Sequence, residues 1–244
     1  MITMKRRNKV LFAIVIILVI FAGIATFTYQ EKEEHTHPAL DENTTVIGEN
    51  SNGTVYKITC GNNSSSDTAI VILGVHSLES GIHNATYEKI IKFSQENELN
   101  KKFIVYFINL NFEDSGMNTS DYDTNRHMGE LLTNEYVLPD IEKYDPYVVV
   151  DVHEMEDYWE HQRYVGVLDN ESDLTMEYAH RIGNNLSYPV LTVNAGTSQE
   201  WVTIPISEKG HITILFETAQ ADSQSEKAVT AEDLVRTIDR LPIY

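Results

Sequence analysis

The chain has one cysteine, Cys60, so no intrachain disulfide can form and a thiolate-based zinc site is excluded. Basic residues are also scarce. Of the 18 lysines and arginines, four (Lys5, Arg6, Arg7 and Lys9) lie within the first nine residues. The other 14 stand against 37 acidic residues, a formal charge of 14 − 37 = −23. Such a surface repels nucleic acid and other polyanions. There is no Gly-rich phosphate loop and no Gly-x-Ser-x-Gly elbow, which argues against nucleotide and serine-hydrolase chemistry. Internal repeats are absent, and nothing after residue 27 is long and apolar enough to span a bilayer.

The one long apolar run is residues 10–27, broken only by Thr26. It follows the four basic residues, and no acid occurs before Glu31. The positive-inside rule then predicts a cytoplasmic tail at 1–9 and a transmembrane anchor at 10–29. A polar stalk would follow at 30–53, and one extracellular domain at 54–244. A cleaved signal peptide is the competing reading, but its apolar core is usually shorter. The outer part, about 190 residues, is long enough for a single packed core.

Strand-like runs occur at 54–59, 68–76, 103–110, 147–153, 163–168, 189–194 and 211–218. Several are apolar at consecutive positions (AIVIL, YVVV, ITILF), as strands buried on both faces are. Helical patterns lie between them at 85–99, 129–144 (interrupted by Pro139), 174–186 and 231–241. Thr230 followed by Asp233 approximates a capping box for the last of these. The alternation predicts an α/β domain: a central, mostly parallel or mixed β-sheet flanked by helices. Ligands of such sheets gather beyond the carboxyl ends of the strands.

Three strand ends carry chemistry there. His76 and Glu79 follow the 68–76 run, Asp151 and His153 close YVVVDVH, and Glu217 ends ITILFE. Two imidazoles and a carboxylate make a three-ligand zinc set with one position left for water. A further carboxylate can take that water's proton. A lone His-x-x-Glu occurs by chance, and a lone strand histidine is more often a satisfied core residue. Their recurrence at three strand ends is what points to metal-assisted hydrolysis. Arg126, in Asp123-Thr124-Asn125-Arg126, adds a guanidinium that can fork onto a carboxylate or stabilise an oxyanion.

The ordered set His76-x-x-Glu79, Asp123-x-Asn125-Arg126, Asp151-x-His153 and Glu217 resembles the zinc carboxypeptidase superfamily, which includes the aspartoacylase and succinylglutamate desuccinylase branch. The resemblance covers about residues 68–220. It implies one zinc ion on His76, Glu79 and His153, and Glu217 as general base and acid. It implies that Asn125 and Arg126 bind a substrate carboxylate, and that Asp123 orients His76. The segment 196–201 looks like the one that precedes the last strand in this family. The family's additional arginine is missing, since none lies between His76 and Arg126. Arg163 would replace it, or Arg126 would serve alone. Tyr158 or Tyr164 would cover the substrate.

The expectation is therefore a membrane-anchored extracellular metallopeptidase of carboxypeptidase type, acting on a peptide. Two alternatives stand beside it. One is an aspartoacylase-like amidase of N-acyl amino acids. The other is a non-catalytic domain that binds a partner at the surface.

Overall fold

The computed structural model describes residues 43–111, 122–169, 171–194, 196 and 198–244. The expected tail, membrane span and most of the stalk fall outside them. Among the described residues no helix is long and apolar enough to cross a membrane.

The stalk expected over 30–53 gives way to folded structure earlier than its polar composition suggests. Thr44–Asn50 forms strand β1, paired antiparallel with β2 (Gly53–Gly61). β1 is an edge strand held by backbone hydrogen bonds more than by burial, and its Val46 is 47 % exposed. It therefore has no clear alternation of apolar and polar residues to read.

Six further strands are β3 (Thr68–Leu73), β4 (Lys102–Leu110), β5 (Val148–Met155), β6 (Tyr164–Val167), β7 (Val190–Thr192) and β8 (Thr213–Ala219). Together they form one mixed eight-stranded sheet in the order β1-β2-β4-β3-β5-β8-β6-β7. Its centre, β4-β3-β5-β8, is parallel. All of β3 is buried, as its unbroken TAIVIL run requires. Each such aliphatic side chain contributes about 1.5–3 kcal/mol by leaving water.

Helices cover both faces. Helix α1 (Ser80–Gln95), α4 (Asp173–Leu186) and α6 (Gln224–Asp239) pack residues such as Ile82, Phe93, Tyr178 and Val235 against Val71, Val150 and Phe216. On the other face, α2 (Tyr122–Leu132), a π-helical turn (Thr133–Val137) and α3 (Leu138–Ile141) run on without a break. They meet a second π-helical turn (Gln199–Thr203) and α5 (Ile204–Glu208) over Ile70, Ile72 and Val149. α6 begins seven residues before the expected 231. Its capping box is Ser223 with Glu226, not Thr230 with Asp233.

Two glycines aim the ends of these elements. Gly74, after β3, has φ +81°, and a Cβ there would lie 2.1 Å from the Ile108 carbonyl oxygen. It lets the chain turn off the strand into His76. A Cβ at Gly129 would lie 1.7 Å from the Val75 carbonyl oxygen, so α2 touches the His76 loop backbone to backbone. Gly129→Ala should therefore cost at least about 1–3 kcal/mol through overpacking. Denaturant unfolding would measure this, and an unchanged midpoint would mean that α2 is free to shift.

Candidate active site

His76, Glu79, His153 and Glu217 come together at the carboxyl edge of the sheet. β3 delivers His76 through Gly74, and the 3₁₀ turn Ser77–Glu79 brings Glu79 back beside it. Glu79 stands at the start of α1, where the helix dipole favours a carboxylate. β5 supplies His153, whose register partner on β8 is Glu217. All four side chains are buried.

Both imidazoles turn Nδ1 towards the same carboxylate. His76 Nδ1 is 2.9 Å from Glu79 Oε1, and His153 Nδ1 is 2.9 Å from Oε2. Their opposite nitrogens are tied down. His76 Nε2 lies 3.1 Å from Glu130 Oε1, a carboxylate that can only accept when ionised. His153 Nε2 lies 3.1 Å from Ser198 Oγ, which itself donates to Asp151 Oδ2 at 3.1 Å and so accepts from the ring. Asp151 Oδ1 is also 3.0 Å from Nε2, a close contact between carboxylate and ring.

These partners place a hydrogen on each Nε2 and leave each Nδ1 facing a carboxylate oxygen. Lone pair would then face lone pair at 2.9 Å unless positive charge sits between them. A proton or a metal ion answers that need. One donor atom from each of His76, Glu79 and His153 lies within 4.8 Å of the others. Tetrahedral zinc ligands at about 2.0–2.3 Å stand roughly 3.3–3.7 Å apart, so the set fits zinc with small adjustments.

The electrostatics agree. Burial works against the charged form of Glu79, yet His76 and His153 hold its carboxyl well below the usual range. Burial also works against charging His153, but Asp151 and Glu79 hold its imidazole well above its ordinary value. Burial pushes the Glu217 carboxyl well above the usual range; Glu79 and Asp151 add to this, while His153 and Arg126 oppose it. Glu217 Oε2 is buried, and among the described residues it has no hydrogen-bond partner.

The surrounding residues fall into two groups. Arg126 reaches the site, with Nη1 2.8 Å from Glu79 Oε1. Tyr164 and Tyr158 line the same cleft, of about 480 Å³, with Arg126 and Glu217. Arg163 does not line it: its guanidinium is forked onto Asp222, on the far side of β6 and β8. The side chains of Asp123 and Asn125 are not among those described. Glu130, Ser198 and Lys227 are site residues that sequence reasoning missed. Lys227 is buried on α6 and pairs with Glu154 Oε1 at 2.8 Å, and the Glu154 N–H donates to Glu79 Oε2 at 3.0 Å. Burial raises the Glu154 carboxyl to about 7 against the pull of Lys227.

No protein-family profile and no curated protein matches the chain. Solved structures do. A metallo-carboxypeptidase from Burkholderia cenocepacia superposes with a TM-score of 0.54 at 9% identity, over 80% of this chain and 63% of that one. The fold is that of the metallocarboxypeptidases. A succinylglutamate desuccinylase from Silicibacter shares it, with a TM-score of 0.51 at 13% identity, over 83% of this chain and 68% of that one. A succinylglutamate desuccinylase/aspartoacylase from Rhodobacter sphaeroides gives 0.50 at 13% identity, over 76% and 58%. The chain thus spans less than two thirds of the length of the Burkholderia and Rhodobacter proteins.

The site generates a graded prediction for metal content. His76→Ala and His153→Ala should each lose most bound zinc, because two protein ligands hold it poorly. Glu130→Ala removes only the Nε2 anchor and should weaken zinc affinity about 10–100-fold. Zinc titration against a competing chelator checks both. Wild-type affinity in either histidine variant would remove that residue from the ligand set.

Proposed function

We propose that this chain is a zinc-dependent hydrolase of amide bonds, of carboxypeptidase type, held at the outer face of a membrane by residues 10–29. One observation carries the hydrolytic reading. Two Nδ1 atoms converge on one carboxylate, and beside them Glu217 offers a buried oxygen without a hydrogen-bond partner among the described residues. When bound by His76, Glu79 and His153, zinc supplies a water of near-neutral pKa and polarises a carbonyl.

The chain's own groups do the rest. Glu217 takes a proton at Oε2 and passes it to the leaving amine. Its raised proton affinity suits both halves of that transfer. Arg126, whose guanidinium lies against Glu79 at the cleft, would stabilise the negative charge that develops on the carbonyl oxygen. Asn125, its neighbour in sequence, would bind the substrate's carboxylate, as the sequence resemblance implies. Glu130, and Ser198 with Asp151, keep both imidazoles in the Nε2–H form.

A second reading is favoured by one feature of the cleft. Arg126 is the one guanidinium among its described lining residues. If it serves the oxyanion, no second arginine remains to bind a chain-terminal carboxylate. An amidase of N-acyl amino acids would then fit better than an exopeptidase. Comparing short peptides, with free and amidated termini, against N-acyl amino acids decides between them.

Glu217→Gln should bind zinc normally and lose about 10²–10⁴-fold in rate, since an amide cannot take the proton. Near-normal turnover by this variant would refute the mechanism. The positively flanked run at 10–27 also makes a prediction. The full chain should sediment with membranes, and protease added to intact cells should degrade the domain. Protection of the domain would reverse the orientation.

A further inference from the structure

The cleft has an outer wall that the hydrolytic chemistry does not use. Beyond His153 the chain leaves β5 and carries Tyr158 and Trp159 to the cleft mouth. These two aromatic side chains are 76% and 53% exposed, with ring centroids 5.5 Å apart and planes tilted by 35°. The Trp159 Nε1–H donates to Glu156 Oε2 at 3.2 Å, which holds an indole face next to a carboxylate. Glu160 lines the same wall. The cations of neighbouring elements are committed elsewhere: Arg126 to Glu79, Arg163 to Asp222 and Lys227 to Glu154. Among the described residues no lysine or arginine pairs with Glu156 or Glu160. Deeper in the same cleft lies Glu217, whose buried Oε2 has no hydrogen-bond partner among the described residues.

Aromatic faces beside unneutralised carboxylates make a receptor for a cation on an aliphatic stem. The rings take the methylenes and the face of the charge, and the carboxylates take its N–H groups. The same wall repels an anionic side chain. We infer that Glu156, Tyr158, Trp159 and Glu160 form a subsite for a basic side chain, an ammonium or guanidinium, next to the bond that is cut. This rests on the hydrolase reading given above. The subsite lies outside the metal-binding set, so it selects among substrates without taking part in the chemistry.

The test uses the full-length, zinc-loaded protein in detergent and short peptides that differ at one residue beside the scissile bond. Lysine, its uncharged analogue norleucine, and glutamate are compared. Lysine peptides should exceed norleucine peptides by about tenfold in kcat/KM, with glutamate lowest, and the ratio should shrink as salt rises. In the double variant Glu156→Gln/Glu160→Gln the lysine-to-norleucine ratio should fall towards one. The same ranking should appear in calorimetric binding to Glu217→Gln protein, which needs no turnover. Equal kcat/KM and equal affinity for lysine and norleucine peptides would overturn the subsite, as would an unchanged ratio in the double variant. If no peptide is hydrolysed while binding still ranks lysine first and the double variant abolishes that ranking, the hydrolase reading fails and the subsite stands.

Discussion

The carboxylate of Glu79 is the point on which the site depends. Oε1 meets His76 Nδ1 and Arg126 Nη1, and Oε2 meets His153 Nδ1 and the Glu154 N–H. These groups come from the β3 loop, from α2 and from the end of β5. An ionised carboxylate out of water costs several kcal/mol unless its lone pairs are taken and its charge is matched. At 2 % exposure, Glu79 meets that condition only with all of these elements in place. The strand ends, the loop after Gly74 and the start of α1 are thereby fixed relative to one another by one side chain.

The outer contacts follow the same logic at one remove. Glu130 can reach His76 because Gly129 lets α2 lie against the Val75 carbonyl. Ser198 can bridge His153 and Asp151 because the segment before α5 folds over the end of β5. Lys227 holds Glu154 from the opposite face of the sheet, and Glu154 Oε1 also accepts the Ile82 N–H at 2.5 Å. His76, His153 and Glu154 are thus each anchored by a different segment: α2, the stretch before α5, and α6. Such anchoring preorganises ligands within the narrow tolerance that metal sites need.

Much of this was legible in the sequence, and the residues show why. The ligands and Glu217 come at the ends of apolar runs so uniform that the strand ends are plain, and those runs are β3, β5 and β8. The sheet class followed from the same runs. β1 was missed because an edge strand with half-exposed residues has no period to read. Glu130 was missed because it lies on α2, 54 residues from His76, and nothing local distinguishes it from a solvated helix acid. Ser198 was missed because a single serine at the head of a short helical turn carries no signal of its own. Arg163 was weighed as a replacement arginine on sequence proximity to His153. The fold spends it on Asp222 instead, because residue 163 stands just before β6, a strand separated from β5 by β8.

The charge balance around Glu79 bears on what the site can hold. Four buried carboxylates, Glu79, Glu130, Asp151 and Glu217, surround two imidazoles and one guanidinium. Three of those carboxylates, Glu79, Glu130 and Asp151, already contact an imidazole or the guanidinium. With neutral imidazoles the cluster carries a clear excess of negative charge in a medium that screens it poorly. Two routes relieve the excess. Protons can settle on His153 and Glu217, which is the direction in which both groups are pushed. A dication among the Nδ1 atoms and Glu79 achieves the same while leaving the imidazoles neutral. In that second state the repulsion on Glu217 falls, so it gives up its own proton more readily and stands as the carboxylate that can take one from water. The same acidic surround that makes the site costly to bury without a cation therefore couples occupancy by a metal to the readiness of Glu217 to accept a proton.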